Sequence, residues 1–230
     1  MATGTTRYPS DVSAATYLLT VRGTIAAGSV EEARGIHNMT AGNPAGVEAA
    51  RSLGDLSHNV YTGMGKDHER ELLFLDYWNS LTGLGQFFSD PQVKQGAGML
   101  FSTMDNPVWA AAVDFGSFHL AIPSGKSPAG VGLLRAKVSS VEKAAAAFRD
   151  YASATINPAR RHGIVSHSLW IKAVEHGETP EIIGLDLWLD ADAMAAYYEL
   201  SLGFELLGPV FAGPPEDSIW RAAPGEWVEW

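Results

Sequence analysis

The segment Leu72-Leu73-Phe74-Leu75-Asp76-Tyr77-Trp78 is an apolar run of strand length interrupted by one carboxylate. Read with a period of two, it separates Leu73, Leu75 and Tyr77 from Phe74, Asp76 and Trp78. Asn79 to Pro91 then reads as a tight turn and a short helix. The same pattern returns 110 positions later, where Ile182 to Trp188 places Asp186 and Trp188 at the spacing of Asp76 and Trp78. A helical stretch from Ala191 to Tyr198 follows it.

The rest of the chain arranges itself around these twins. Residues 16–23 are rich in β-formers and predict a first strand. Ser29 offers an N-cap for a helix whose apolar stripe is Val30, Ala33, Ile36 and His37. Asn43-Pro44 should break that helix and start another, which Gly54 ends. Residues 55–62 predict strand two, residues 63–69 a hairpin tip and Val108-Trp109-Ala110 strand four. The order is β-α-β-β-α-β, and it recurs. Ser140-Val141-Glu142 repeats Ser29-Val30-Glu31, and Asn157-Pro158 parallels Asn43-Pro44. Gly163 to Trp170 repeats Gly54 to Tyr61, with His167 matching His58, and Trp220 matches Trp109. Offsets this constant point to an internal duplication. The organisation expected is a leader over 1–15, repeat one over 16–114, a Ser/Gly/Pro-rich linker over 115–129 and repeat two over 130–230.

A β-α-β-β-α-β unit covers one sheet face with its helices and leaves the other to be covered. The fold class predicted is therefore α+β, with two tandem ferredoxin-like repeats packed sheet to sheet as an intramolecular barrel. The aliphatic set Leu73, Leu75 and Tyr77 is expected to face the helices. The mixed set Phe74, Asp76 and Trp78 is expected to face the space between the sheets, where carboxylate and indole would suit a pocket wall.

These residues resemble the dimeric α+β barrel superfamily, and within it the antibiotic biosynthesis monooxygenase (ABM) type. The resemblance runs through Gly54 to Tyr61, Asp76-x-Trp78 and Leu84 to Pro91, with their equivalents Gly163 to Trp170, Asp186-x-Trp188 and Met194 to Tyr198. It implies a small-molecule enzyme, cofactor-independent, using oxygenase or related proton-transfer chemistry on a flat hydrophobic or aromatic substrate. The family pattern has an acidic residue, usually Glu, two before the Trp; here it is Asp both times. Members that degrade haem or oxidise quinols place a His on the following helix, where this chain has Phe87 and Tyr197. The alternative reading is a non-catalytic barrel that holds a hydrophobic ligand or haem.

The candidate chemistry lies on the strands. His58 and His167 sit between aliphatic neighbours, as general bases, ligands or hydrogen-bonded core residues. A carboxylate in an apolar strand needs a partner. For Asp76 and Asp186 that partner is His58 and His167, which would form pairs able to move protons, or else backbone N–H groups or Arg22 and Arg135. Trp78 and Trp188 are expected as wall, with Tyr61 and Trp170 placed to stack on a flat ligand if their face lines the cavity. His37 falls where the second half has Phe148, an asymmetry that allows one working pocket and one filled one. His68, His119, His162 and His176 fall in turns or at element ends and are expected to be solvated.

Composition narrows the partners. The net charge of -10 lacks the basic face that nucleic acid or an anionic membrane would need. With no cysteine, disulfides, thiolate catalysis and Cys-based zinc sites are excluded, and a cytoplasmic location is the expectation. There is no signal-like N-terminal apolar core and no apolar run of membrane-spanning length. No metal-ligand spacing, nucleotide loop or nucleophile elbow is present. The partners expected are a small hydrophobic or aromatic molecule and, as assembly, a monomeric pseudo-dimer or a homodimer.

Overall fold

A computed structural model of the chain describes residues 15–112, 115–172 and 178–230. His176 and nearly all of the expected leader lie outside the described residues. Residues up to Val108 together with Ala223–Trp230 form one compact unit, and Trp109–Ala222 forms a second.

The first unit runs β1 (Tyr17–Ile25), α1 (Val30–Met39), α2 (Pro44–Ser52), β2 (Asp55–Gly63), β3 (Glu71–Trp78), α3 (Leu81–Ser89), α4 (Pro91–Leu100) and β4 (Phe101–Asp105). All pairings are antiparallel, in the order β4-β1-β3-β2. After β5 (Val108–Ala111), the second unit holds β6 (Phe118–His119), β7 (Gly130–Lys137), α5 (Val141–Arg161), β8 (Ile164–Lys172), β9 (Glu181–Trp188), α6 (Ala191–Tyr198) and β10 (Glu216–Ala222). Its order, β10-β7-β9-β8, is again fourth, first, third, second. β5 and β6 both pair with β8. The segment at Trp109 therefore does not act as strand four of the first unit. β4 takes that place on β1, because Pro107 turns the chain away first.

Local signals explain most boundaries. The Ser29 and Ser140 hydroxyls cap α1 and α5 by accepting from the backbone N–H three residues on. Asn43 caps α2, with Pro44 at its first position. Asn157-Pro158 does not divide α5, which is one helix of 21 residues. Thr40-Ala41-Gly42 ends α1 before Asn43, whereas an unbroken run of helix formers leads into Asn157. Gly54 and Gly163 take φ of +105° and +96°, which a residue with a Cβ rarely adopts. Each is followed by a register shift, between Asp55 and Ser57 and between Ile164 and Ser166. Such bulges re-aim the side chains beyond them.

The helix-covered core of the first unit contains Leu19, Val21, Val60, Phe74 and Trp78 from the sheet, packed with Ala33, Ala50, Leu84 and Leu100 from the four helices. That reverses the expected facing. Phe74, Asp76 and Trp78 lie under the helices, and Leu73, Leu75 and Tyr77 point to the opposite face, where they too are buried. The second unit does the same, with Ile182 in its helix-side core beside Val138, Leu169 and Phe148. The two faces of β3 are both buried, so apolar content could not tell them apart.

Candidate functional site

In each unit a bulged second strand brings a histidine opposite the aspartate of the third strand. His58 stands in register with Asp76 and His167 with Asp186. Both pairs close at 2.6 Å between Nδ1 and Oδ1. Neither aspartate is held by Arg22 or Arg135, which bond Glu71 and Glu181 instead.

In the first unit the pair extends into a buried chain. His58 Nε2 meets His37 Nε2 of α1 at 2.9 Å, and His37 Nδ1 meets Asn38 Oδ1 at 2.9 Å. The segment after β10 seals it. Trp230 stacks on His58 at 4.6 Å between ring centres, Trp227 lies against His37, and Phe74 packs edge-on to both imidazoles. His58 and Trp230 also exchange backbone hydrogen bonds in both directions.

Backbone groups fix the direction of this chain. The Asn38 amide donates to the Glu226 carbonyl, and its Oδ1 accepts from Val228 N–H. Since Asn38 Oδ1 is an acceptor, His37 Nδ1 carries a proton and donates to it. His37 Nε2, in the neutral ring, then accepts from His58 Nε2–H. Burial pushes His37 down to about 3 and His58 down to about 4, so both are neutral at pH 7. His58 Nδ1 is consequently bare. The remaining proton sits on Asp76, whose carboxyl is pushed well above the usual range by burial. The first-unit pair is a carboxylic acid donating to an imidazole with no free base nitrogen.

The second unit carries the opposite arrangement. Trp188 Nε1–H donates to Tyr198 Oη at 3.3 Å, and Tyr198 donates its own proton to Asp186 Oδ2 at 2.7 Å. Burial and the neighbouring Asp186 charge raise Tyr198 well above the ordinary phenol value, so it remains a donor. Asp186 accepts at Oδ2 from Tyr198, and its Oδ1 lies 2.6 Å from His167 Nδ1. His167 Nε2 is buried and without a hydrogen-bond partner among the described residues. It borders a cavity of about 10 Å³, room for about one water. Phe118, Tyr151, Ile156, Ile164 and Tyr197 wall that cavity. Phe148 stacks on His167 from α5, in the place His37 takes in the first unit.

Among the other residues expected at a site, Trp78 and Trp188 are fully buried and pack on Phe87 and Phe88 and on Tyr197 and Tyr198. Tyr61 and Trp170 fall on the sheet face away from the His–Asp pairs, and Trp170 Nε1 donates to Ser168 Oγ on that face. They do not join either pair. His68 pairs with Glu71, His119 with the Ser166 hydroxyl, and His162 donates to the Pro158 carbonyl. Sequence reasoning missed Asn38, Trp227, Trp230, Tyr151 and Tyr198. The one available signal was that Tyr197-Tyr198 stands where the first half has Phe87-Phe88, a pair differing by two hydroxyls.

No family model matches the sequence, and no curated protein matches it. Solved structures do. An anthrone oxidase-like protein is similar over 93% of both chains, with 15% identity and a TM-score of 0.62. A candidate monooxygenase from Fusobacterium nucleatum is similar over 91% of this chain and 94% of its own, with 10% identity and a TM-score of 0.59. A haem-binding protein from Thermus thermophilus covers 90% of this chain and 91% of its own, at 12% identity and a TM-score of 0.53. The likeness shows a shared fold.

The haem-binding neighbour makes haem a group to test against these residues. His58 Nε2 is engaged by His37, and His167 Nε2 opens on space for about one water. Binding sites for ligands of that size enclose about 300–1,000 Å³. Neither His–Asp site, as it stands in the structure, fits haem. No group of three His, Cys, Asp or Glu residues able to hold a metal ion occurs among the described residues.

Proposed function

We propose that the chain is a small-molecule enzyme of the ABM-like kind whose working site is the His167–Asp186–Tyr198 cluster, with His167 Nε2 as general base. The carrying observation is a buried Nε2 without a hydrogen-bond partner on a histidine that lines an aromatic-walled cavity. The substrate class is a flat aromatic compound with an acidic C–H, and its entry requires the aromatic walls to move apart, because the cavity as it stands has room for about one water. His167 takes the proton, Asp186 stabilises the resulting imidazolium, and the carbanion reacts with dioxygen; a methylene oxidised to a carbonyl would release one water. The anthrone oxidase-like neighbour supports this substrate class by fold alone. Two ferredoxin-like repeats of common descent, one active and one filled, account for the shared strand order and the matched registers of the two pairs.

The test is oxygen uptake with anthrone as the probe. His167→Gln should lower turnover by about 10²–10⁴-fold, the usual loss of a general base, while His58→Gln retains it. Undiminished turnover in folded His167→Gln would sink the proposal. The small cavity favours one competing reading, a barrel that binds an aromatic ligand without consuming it. In that case anthrone would quench tryptophan fluorescence with no oxygen uptake.

A further inference from the structure

The two Asp–His pairs share their register and their closing distance, yet the groups around them differ. The difference traces to two positions. The first is Tyr198, whose hydroxyl bonds Asp186, where Phe88 at the end of α3 offers Asp76 none. The indoles record the same contrast: Trp188 Nε1–H donates to Tyr198, whereas Trp78 Nε1 is buried without a partner among the described residues. The second position lies on the neighbouring strand. Gly132 is the register partner of Asp186, and Leu19 is the register partner of Asp76. A Cβ added to Gly132 would collide with the Tyr198 hydroxyl. The glycine leaves the space in which that hydroxyl reaches the carboxylate.

We propose that Gly132 and Tyr198 act together as positioning residues that hold Asp186 as a hydrogen-bond acceptor at both oxygens and thereby present His167 Nε2 as the bare nitrogen. The inference rests on the reading of His167 as the base. A carboxylate that accepts two hydrogen bonds is favoured in its charged form, whereas one that is buried with a single imidazole beside it takes the proton. Tyr198 supplies the second bond. Its oxygen already accepts the Trp188 N–H, so its one proton points to Asp186 Oδ2. Trp188, Tyr198, Asp186 and His167 form a relay of fixed direction that ends at the cavity. The other titratable groups around it are Tyr151 of α5 and Tyr197 of α6, both raised first by burial, and His119 of β6, lowered by burial and by His167. None of the three is hydrogen-bonded to Asp186 among the contacts described.

The experiment is ¹⁵N NMR of the imidazole nitrogens in the labelled full chain, which distinguishes a bare ring nitrogen from a protonated one. In the unaltered protein His167 should show a protonated Nδ1 and a bare Nε2, and His58 the reverse. Tyr198→Phe should exchange the two His167 signals, giving a protonated Nε2 like that of His58. Gly132→Ala should do the same by displacing the hydroxyl without removing it, and it serves as the second route if Tyr198→Phe folds poorly. His58 should be unchanged in both variants. Folded variants in which His167 keeps its bare Nε2 would overturn the positioning role and leave the base reading standing. A protonated Nε2 in the unaltered protein would overturn both.

Discussion

A carboxyl–imidazole pair closed at 2.6 Å can keep its shared proton on either partner, and the groups around both the ring and the carboxyl decide which. At His58 the far side is His37, itself committed to Asn38. At His167 it is a cavity. Asparagine substitutions should expose the difference. Asn at 76 can donate from its amide to His58 Nδ1 as the acid does, so the bond survives. Asn at 186 offers one oxygen to two converging donors and strands one of them, at a cost of about 1–3 kcal/mol. Urea unfolding at pH 7 should find Asp186→Asn the more destabilised; equal losses would contradict the proton assignment. Acid adds a second distinction. His37 and His58 have folded values depressed to about 3 and about 4 from 6.5, so their contribution to stability is full above 6.5 and fades as the pH falls through those values. Asp76 acts in the opposite sense. Its folded value is raised, so its contribution is full below the ordinary carboxylate range and is lost as the pH rises through the folded value. Asp76→Asn removes that offset. Relative to the unaltered protein, its stability should fall as the pH is lowered towards the ordinary carboxylate range.

Among elements, the segment Ala223–Trp230 does the most with the fewest residues. It returns to the first unit after β10, bonds the backbone of β2 at His58 and Val60, and brings two indoles onto the histidine pair. Glu229 also accepts from Val60 N–H through its side chain. Trp230 is 7% exposed, so truncation to Ala belongs with buried aromatic losses of about 3–5 kcal/mol. The same variant should make His58 reactive toward an imidazole-modifying reagent that does not reach it in the unaltered chain. A loss below about 1 kcal/mol with His58 still protected would show that the segment is not the seal. Elements also show where local signals fall short. Asn43-Pro44 and Asn157-Pro158 are the same dipeptide, and one starts a helix while the other lies inside one. The glycine before the first pair, absent before the second, makes the difference.

At the scale of the whole molecule, two units share a strand order and an aspartate–histidine pair but differ in how the helix side is filled. His37, Trp227 and Trp230 close one, and Phe118, Tyr151 and Tyr197 line a small space in the other. Filled in this way, neither site leaves room beside its histidine for a porphyrin, so hemin added to the full chain should give no spectrum of a histidine-ligated iron. A stoichiometric Soret change that His167→Ala abolishes would show that the cavity opens far beyond the space seen. The net charge is -10, and no helix among the described residues is long and apolar enough to cross a membrane.

The period-two pattern around Asp76 and Asp186, the recurring offsets and the capping serines are local or periodic properties, and the chain alone determined from them the α+β elements and the candidate His58, Asp76, His167 and Asp186. Which sheet face those residues occupy depended on a bulge after Gly54 and Gly163, and a one-residue shift reverses facing without altering composition. Which histidine nitrogen is engaged and which is left without a partner depended on contacts between residues far apart in the chain. Asn38 meets Val228, His37 meets His58, and Tyr198 finds Asp186 only because Gly132 stands aside. A proton's position is set by the whole hydrogen-bond chain around it, and only the tertiary structure brings that chain together.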